Sequence, residues 1–410
     1  MATDRRVDRT PHMPTLSARR IKPRCRHHAE CGGCLWQHIP YDEQLRMKAE
    51  TLRTVLRAAL GGSCPPVRPF IPGGETPWGY RHKVHFVLAA GPRGRGLVMG
   101  HYRRGSQTVL PVVECPVHAE AGNQLAFAIR DALRKADIEG ATPDLDHGVA
   151  RHLVIRVAGT APERLATLVV TENVRALRPA VRDILAGPNA PTGLHLNIHD
   201  RPGSFLFGET TKRLAGAERV REDIAGLGYL ISPTAFFQTN PAAAEVMVRL
   251  VLEHTRGSDR ILDLYAGAGL FSLALAKSGA SVTAVEESAD AAADGEASRR
   301  LNRISEASCR FVRARVEQVA AGVSRRLVLA SPDVVVLDPP RQGCAPPVLD
   351  WVVRALRPAE IVYISCNPEA LAVDLKTLVS GNYGVSLVQP VDMFPHTPHI
   401  ESVVVMQKRP

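Results

Sequence analysis

The sequence lacks the features that would assign it to a membrane, secreted or repetitive class of protein. No run approaches the roughly twenty consecutive apolar residues that a membrane-spanning helix requires. No secretory hydrophobic segment is evident, and internal repeats and extended low-complexity tracts are absent. We therefore expect a globular, cytoplasmic protein that does not reside in a membrane, and nothing in the sequence indicates an obligate protein partner.

The composition is that of a large folded chain with an excess of positive charge. Its 410 residues are 45% hydrophobic and 22% charged, which is enough for two or three folded units with a sizeable core. The formal net charge is +10 at pH 7. Residues 81–104 contain six Arg or Lys and no acidic residue, interleaved with aromatic residues, His and Gly. This run predicts a surface that binds the phosphate backbone of RNA.

Hydrophobic periodicity divides the chain into four parts. Residues 1–24 are rich in Arg, Thr and Pro, and we expect them to form a disordered basic tail. Residues 25–75 combine a cysteine-rich segment with a predicted helix. Residues 76–230 predict a β-rich central domain, and the basic run 81–104 within it makes it the candidate RNA-binding domain. Residues 231–410 alternate strands and helices, which predicts an α/β, Rossmann-like domain with a mostly parallel, doubly wound sheet and a terminal antiparallel hairpin.

A glycine-rich loop predicts a nucleoside cofactor. Gly267 and Gly269 follow the apolar run 260–264 and precede a helix, so they allow a ligand to approach the backbone closely. Glu286 ends the next predicted strand, where its carboxylate can accept hydrogen bonds from ribose hydroxyls. The dinucleotide fingerprint requires a third glycine where this chain has Ser272. S-adenosylmethionine (SAM) is therefore favoured over NAD.

Three motifs in the carboxyl-terminal part carry side chains suited to catalysis. Cys366 follows the apolar run 361–364, so a buried strand would present its thiol at the edge of the sheet as a candidate nucleophile. Asp338 opens an Asp-Pro-Pro-Arg motif whose prolines stiffen the loop. Glu401 begins a strand close to several prolines, and partial desolvation there would raise its proton affinity toward that of a useful base. An inert buried cysteine is the alternative for Cys366 taken alone.

A second group of cysteines has the spacing of a metal site: Cys25, Cys31, Cys34 and the distant Cys115. Two thiolates close together in the chain can bind one centre, and a remote fourth thiolate can complete it. Four thiolates suit zinc as well as an iron-sulfur cluster, so the spacing alone leaves the metal open. Disulfides are the alternative, but they rarely persist in the reducing cytosol that we expect for this chain.

Taken together, the motifs resemble the RNA uracil-5-methyltransferase family, whose members methylate ribosomal or transfer RNA. The resemblance spans roughly residues 25–401 and is carried by Cys31–His38, Tyr80–Lys83, Ser232–Asn240, Asp338–Arg341, Cys366 and Glu401. Each motif is weak alone, but their joint occurrence in this order is specific.

The resemblance implies covalent catalysis, in which Cys366 adds to C6 of uracil and Glu401 removes the C5 proton after methyl transfer. It places five residues around SAM: Gln238, Tyr265, Gly267, Glu286 and Asp338. Phe236 and Arg341 are suited to holding the target base, and Arg81 and Lys83 are further candidates for contact with RNA. The family pattern also implies a [4Fe-4S] cluster on the four cysteines, namely Cys25, Cys31, Cys34 and Cys115.

The target that the resemblance favours is 23S rRNA, because relatives that carry the cluster usually act there, and transfer RNA is the closest rival. RNA 5-methylcytosine enzymes use a Pro-Cys motif after the fourth strand, whereas the motif that begins at Asp338 contains no cysteine. A noncatalytic, metal-stabilised RNA-binding module would account for the charge and the clustered cysteines. That alternative would leave Cys366, Asp338 and Glu401 without a role.

Overall fold

The computed structural model describes residues 19–91, 94–159, 162–203, 206–322 and 331–410. Most of the predicted basic tail, residues 1–18, therefore lies outside the described residues. Among the described helices, none combines the length and the apolar character that crossing a membrane requires.

Strands predominate in the first half of the described chain, and helices and strands alternate from residue 241 to residue 380. The helices are α1 (Tyr41–Leu60), α2 (Glu120–Lys135), α3 (Leu177–Ala186), α4 (Pro241–His254), α5 (Leu270–Lys277), α6 (Ala289–Leu301), α7 (Val316–Ala320), α8 (Pro346–Trp351) and α9 (Pro368–Ser380). The strands are β1 (Ile71–Pro72), β2 (Lys83–Ala90), β3 (Leu97–Tyr102), β4 (Val109–Pro111), β5 (Ala150–Val157), β6 (Arg164–Val170), β7 (Gly193–Ile198), β8 (Thr210–Gly216), β9 (Val220–Ile224), β10 (Leu227–Ile231), β11 (Arg260–Leu264), β12 (Ser281–Glu286), β13 (Cys309–Arg313), β14 (Val334–Leu337), β15 (Glu360–Ser365), β16 (Tyr383–Asp392) and β17 (Glu401–Lys408). A 3-10 turn (Gly61–Ser63) follows α1, and a π-helical turn (Val352–Leu356) follows α8.

Eight strands form the larger sheet, in the order β1-β16-β17-β15-β14-β11-β12-β13. The strands from β11 to β15 pair in parallel, while β17 runs antiparallel to both β15 and β16. This is a Rossmann-like, mostly parallel sheet with a terminal antiparallel hairpin, which confirms the predicted fold class.

Short apolar strands explain the parallel arrangement. All four residues of β14 are buried. Val334 and Val336 belong to the buried cluster that contains α4 and α5, whereas Val335 and Leu337 belong to the cluster that contains α1 and α9. Because helices cover both faces of a parallel sheet, its strands carry apolar side chains on both faces.

The middle of the chain forms a seven-stranded sheet in the order β4-β3-β2-β5-β6-β7-β8. Its described strand pairs are antiparallel except for β6 with β7. Helices α2 and α3 pack on this sheet, where Ile129, Leu168 and Ala180 are buried together. The alternation of apolar residues predicts strands over 83–89, 152–157, 165–170 and 193–198, and these correspond to β2, β5, β6 and β7 within two residues at each end.

Two segments from earlier in the chain pack on the larger sheet. The hairpin of β9 and β10 contributes Ile224 and Tyr229 to the buried cluster that contains α4 and α5. Helix α1 contributes Leu52 and Leu56 to the cluster on the other face. Strand β1 pairs in parallel with β16 and extends the sheet. The amino-terminal residues are thus part of the core of the larger domain.

The loop between the last two strands, which we call the 393–400 loop, is held by buried polar contacts from α1. Lys48 Nζ donates to Asp392 Oδ1 (2.6 Å) and to the carbonyl oxygen of Phe394 (3.0 Å). The side chains of Lys48 and Asp392 are completely buried. The hydroxyl of Tyr41 donates to the second oxygen of Asp392 (2.8 Å). Both charges are therefore paired, as buried charges must be.

We expect Lys48→Met to lower the free energy of unfolding by about 3–5 kcal/mol, because it leaves the carboxylate of Asp392 buried without its cation. Urea unfolding measures this loss. The matched control is Arg249→Met, which removes the cation of the exposed pair with Glu245 and should change the free energy by less than about 0.5 kcal/mol. Equal losses in the two variants would contradict the role assigned to the buried pair.

Candidate active site

Several elements end or begin at one edge of the larger sheet. The register aligns the carboxyl ends of β11, β14 and β15. At the end of β15, Ser365 lies opposite Ser402 of β17. Cys366 and Glu401 are the next residues of these two antiparallel strands, so they lie side by side. Asp338 follows β14 at the same edge.

The turn that carries Cys366 is tied to the neighbouring loops. Cys366 lies between β15 and α9, and Asn367 caps α9 by accepting from the backbone N–H of Glu369 (3.1 Å). Asn367 Nδ2 donates to the carbonyl oxygen of Arg341 (2.8 Å). A guanidinium nitrogen of Arg341 lies 3.1 Å from Nδ1 of His399 in the 393–400 loop. These contacts join the loops after β14 and β15 to the loop before β17.

Burial and charge set the protonation of this group. Burial, followed by the charge of Glu401, raises the pKa of the Cys366 thiol to about 11, while the guanidinium of Arg341 opposes the shift. Burial and the charge of Asp338 raise the pKa of Glu401 well above its ordinary value, and Glu401 is only 4% exposed. At neutral pH the thiol therefore keeps its proton unless a further positive charge enters the site.

The loop between β11 and α5 turns through left-handed backbone. Tyr265, Gly267 and Gly269 have φ values of 64°, 57° and 83°. A Cβ at Gly269 would lie 2.6 Å from the ring of Phe311, whereas the space beside Gly267 is open. The N–H of Gly267 donates to Glu286 Oε2 (2.8 Å). Open backbone next to the carboxylate that ends β12 can hold a nucleoside ligand.

Three carboxylates lie around this loop. Ser272, which replaces the third glycine of the NAD fingerprint, donates to the buried Asp263. Burial raises the pKa of Asp263 to about 7, with a smaller contribution from Glu286 and against the hydrogen bond from Ser272. Burial and the charges of Asp263 and Glu286 raise the pKa of Asp338 to about 8. A site this rich in carboxylates favours a cationic ligand, because the added charge relieves their repulsion.

The segment Ser232–Asn240 presents an aromatic side chain to solvent before α4. Phe236 is 64% exposed, whereas the adjacent Phe237 is 4% exposed and packs in the core. Gln238 is half-buried. The side chain of Asn240 donates to the carbonyl oxygen of Met393 (3.3 Å), which joins this segment to the 393–400 loop.

Two charged residues that sequence reasoning missed hold this segment. Arg156 of β5 is 5% exposed and donates to the carbonyl oxygen of Ala235. Asp294 of α6 accepts from the N–H of Ser232 (2.7 Å) and from Nε of Arg219 (2.7 Å). The sequence does offer a sign of Arg156, because it is a charged residue within the mostly apolar run that forms β5. The sequence offers no such sign for Asp294, because it is one of several acidic residues in the alanine-rich helix α6.

The structure brings the four predicted metal-ligating cysteines together. Cys25, Cys31, Cys34 and Cys115 are free and line one cavity of about 280 Å³. Burial, with the charges of Cys34 and Cys25, raises the pKa of Cys115 to about 12, and Arg81 opposes the shift. Such a set of thiols can hold a metal centre with four thiolate ligands.

The two basic residues expected to contact RNA are half-buried. Arg81 lines the cysteine cavity, and its Nε donates to the hydroxyl of Tyr80 (3.2 Å). Lys83 Nζ lies 5.8 Å from the centre of the Phe207 ring. Burial, with the charge of Arg156, lowers the pKa of Lys83 to about 7. Contact of either residue with RNA stays a prediction.

The chain is similar to RNA methyltransferases along nearly its whole length. The family model described as tRNA (Uracil-5-)-methyltransferase matches residues 221–409. An uncharacterized RNA methyltransferase of Gloeobacter violaceus is 35% identical over 96% of this chain and 84% of its own length, and one of Listeria monocytogenes is 33% identical over 97% and 86%. The solved structure of Pyrococcus abyssi tRNA (uracil-54, C5)-methyltransferase in complex with S-adenosyl-L-homocysteine has a TM-score of 0.77 at 27% identity, covering 95% of this chain and 86% of that one.

The Rossmann-like sheet and the acid-lined glycine loop, together with these similarities, define a SAM-dependent methyltransferase. More narrowly, the chain belongs to the tRNA (uracil-5-)-methyltransferase family and is an RNA uracil-5-methyltransferase. The predicted family, enzyme class and methyl donor are confirmed, and the RNA target is a separate question.

We expect the affinity for SAM to rise with pH between about 6 and 9, because a cation binds better to ionised carboxylates. In the free protein the pKa values of Asp263 and Asp338 are about 7 and about 8. At a pH below these pKa values, binding of SAM must displace protons from the two carboxyl groups, so the affinity for SAM falls as the pH falls. Calorimetry in two buffers of different ionisation enthalpy measures the proton release. Asp338→Asn should flatten the profile, and Asp333→Asn at the other end of β14 should not.

A SAM affinity that is independent of pH and accompanied by no proton release would show that these carboxyls are already ionised in the free protein.

Proposed function

We propose that the protein converts a uridine of RNA to 5-methyluridine through a covalent adduct of Cys366. The observation that carries the proposal is the register of β15 and β17, which pairs Ser365 with Ser402 at the sheet edge that also holds the glycine loop. The adjoining Cys366 and Glu401 are close enough for the charge of Glu401 to raise the pKa of the thiol. A nucleophile next to a base of raised proton affinity is the pair that this chemistry requires.

The nucleophile serves to activate an unreactive carbon. Uracil C5 is a poor nucleophile, because the C4 carbonyl withdraws electron density from the ring. Attack of the Cys366 thiolate on C6 forms a sulfur–carbon bond and moves the electrons of the C5–C6 double bond toward C5 and O4 as an enolate. When bound, SAM supplies an electrophilic methyl group on its sulfonium. C5 would form the new carbon–carbon bond to that methyl as the methyl–sulfur bond breaks, and the electron pair of the broken bond would stay on the sulfur of the departing neutral thioether, S-adenosylhomocysteine.

Glu401 completes the reaction by accepting the C5 proton. Its raised pKa makes the carboxylate a stronger base than an exposed glutamate. The electron pair of the C5–H bond re-forms the C5–C6 double bond while the sulfur–carbon bond breaks. This elimination restores the aromatic character of the ring and returns Cys366 as a thiolate.

The Cys366 thiol must ionise before it can attack, and its pKa of about 11 opposes ionisation. Glu401 and Asp338 add to the effect of burial, so a cation beside these carboxylates would make the thiolate easier to form. Cys366 also lies one residue before the cap of α9, where the helix N-terminus contributes partial positive charge. We infer that ionisation of the thiol accompanies occupation of the SAM site.

Phe236 and Arg341 are our candidates for holding the target base. The exposed ring of Phe236 offers a face on which a base can stack, an interaction worth about 1–3 kcal/mol in nucleic-acid complexes. Arg341 is exposed and lies beside His399 at the active-site edge. Its guanidinium carries hydrogen-bond donors that match the carbonyl oxygens of uracil.

We propose 23S rRNA as the target, with transfer RNA as the second candidate. The first follows from the resemblance to relatives that carry an iron-sulfur cluster. The second is favoured by the similarity, over 95% of this chain, to a transfer RNA enzyme. The net charge of +10 supports a polyanionic substrate of either kind.

We also propose that Cys25, Cys31, Cys34 and Cys115 hold a [4Fe-4S] cluster, with zinc as the alternative. What supports a metal centre is that the four free thiols line one cavity. The choice of the cluster over zinc follows from the resemblance to the family. The role of the cluster would be structural, because the covalent chemistry transfers no electrons.

We expect Cys366→Ala to lose 5-methyluridine formation by roughly 10³-fold or more, because the covalent step then lacks its nucleophile. Glu401→Gln should accumulate a protein–RNA adduct that survives a denaturing gel, because the C5 proton stays in place and the elimination fails. Cys64→Ala and Glu360→Gln are the matched controls and should keep their activity. Full turnover by Cys366→Ala would exclude the covalent mechanism.

Nucleoside mass spectrometry identifies the target. Unmodified rRNA and transfer RNA are incubated separately with anaerobically purified protein and SAM, and we expect new 5-methyluridine in the 23S rRNA. Product confined to transfer RNA would favour the second candidate. No product in either pool, from folded protein that binds SAM, would overturn both targets.

A further inference from the structure

The loop that follows β14 carries two residues of the candidate active site. We call it the 338–344 loop; Asp338 stands at its start and Arg341 in its middle. The sheet fixes the start, because Asp338 directly follows β14 and its N–H donates to the carbonyl oxygen of Leu264 in β11 (3.3 Å). The end of the loop belongs to no strand or helix. Its position therefore depends on contacts with side chains.

Asp374 of α9 provides such a contact. The residue is 4% exposed. Its Oδ2 accepts from the N–H of Cys344 (2.7 Å) and from the hydroxyl of Tyr363 in β15 (2.5 Å). Two donors from different elements thus converge on one carboxylate oxygen. Because a buried polar group is costly to leave unpaired, these bonds hold the end of the loop against α9.

The turn before Cys344 is shaped to bring the loop close to this carboxylate. Gly343 has a φ of 81°, which is left-handed backbone that favours glycine. Its N–H donates to the carbonyl oxygen of Pro340 (2.8 Å) and closes the turn that contains Arg341. A Cβ at Gly343 would lie 2.7 Å from Oδ2 of Asp374, closer than packed atoms allow. The turn and the carboxylate therefore fit each other only with glycine at this position.

The backbone of Arg341 is bonded to the same helix. Asn367, the cap of α9, donates from Nδ2 to the carbonyl oxygen of Arg341 (2.8 Å). The side chain of Arg341 is exposed, so the position of its guanidinium depends on the backbone of the turn. Asp374 and Asn367 together join this turn to the helix that begins beside Cys366.

We propose that Asp374 is a positioning residue for the target base. It holds the 338–344 loop against α9 and so determines where Arg341 lies relative to the thiol of Cys366. The inference rests on the proposed function, in which Arg341 holds the base that Cys366 attacks. Asp374 itself is buried and acts through the backbone of the loop. Misplacement by about 1 Å can cost roughly 10²-fold in rate, so loss of this contact should slow methylation while the nucleophile stays intact.

The first test measures 5-methyluridine formation by the full chain at saturating SAM, with the RNA that the wild-type protein methylates. We expect Asp374→Ala to lower kcat/KM for RNA about 10–100-fold. Asp374→Asn should keep most of the activity, because its amide oxygen can take the place of Oδ2 and accept from both donors. An Asn variant as slow as the Ala variant would overturn the role of these hydrogen bonds.

A double-mutant cycle separates positioning from general stability. If Asp374 acts through Arg341, adding Asp374→Ala to Arg341→Ala should slow the reaction less than about twofold further. The matched control is Tyr383→Phe, since Tyr383 is 1% exposed and donates to the carbonyl oxygen of Pro358 before β15, away from the active-site edge. It should not change the rate in either background. Tyr363→Phe, which removes one bond to Asp374, replaces Asp374→Ala in the cycle if that variant does not fold.

Hydrogen exchange of the RNA-free protein reports the loop directly. We expect the amides of residues 341–344 to exchange at least about tenfold faster in Asp374→Ala, or in Tyr363→Phe if it takes that place, and no faster in Tyr383→Phe. Unchanged exchange, or losses that add in the double variant, would overturn the inference. Absence of 5-methyluridine with the wild-type protein would instead contradict the proposed function, and the exchange rates would still decide whether Asp374 holds the loop.

Discussion

The buried ion pair of Lys48 and Asp392 is the constraint on which the arrangement of the active site depends. Two completely buried charges cannot separate without an uncompensated desolvation cost of several kcal/mol, so α1 and the end of β16 are held together. The N–H of Trp36 donates to the carbonyl oxygen of His396 (2.9 Å), which fastens the cysteine-rich segment to the same 393–400 loop. Glu401 begins the strand directly after that loop. The position of this side chain therefore depends on residues near the opposite end of the chain.

Repulsion among carboxylates links the SAM site to the thiol. Asp338 experiences the charges of Asp263 and Glu286 at the glycine loop, and Cys366 experiences the charges of Asp338 and Glu401. Asp338 thus belongs to both groups. A cation held at the loop lowers the electrostatic cost of ionising Asp338 and, through its proximity, of ionising the thiol. Acidic residues that hinder the free thiol can in this way restrict its activation to the moment when the methyl donor is present.

The central strands of the larger sheet could be predicted, because β14 and β15 are short, mostly apolar runs that can be recognised without knowledge of their neighbours. Cys366 and Glu401 could be singled out for the same reason, since they lie at the ends of such runs. The pairing of β1 with β16 could not be predicted, because no local signal joins segments more than three hundred residues apart. Arg156 and Asp294 act on backbone groups of the segment before α4, a relation that only tertiary structure creates.

Arg81 connects the cysteine cavity to the active-site edge by charge and by hydrogen bonds. Its guanidinium opposes the effect of burial on the pKa of Cys115. Burial, then the charges of Arg341 and Lys48 and, least, that of Arg81 lower the pKa of His399 to about 4. Nε of Arg81 donates to the hydroxyl of Tyr80, which donates to the carbonyl oxygen of Pro395 (3.1 Å). Thiolates formed in the cavity would therefore attract the guanidinium of Arg81, which is joined to the 393–400 loop through the hydroxyl of Tyr80. If the four cysteine thiols of the cavity hold the proposed metal centre, its charge would act on the 393–400 loop through this contact, even though the covalent chemistry transfers no electrons.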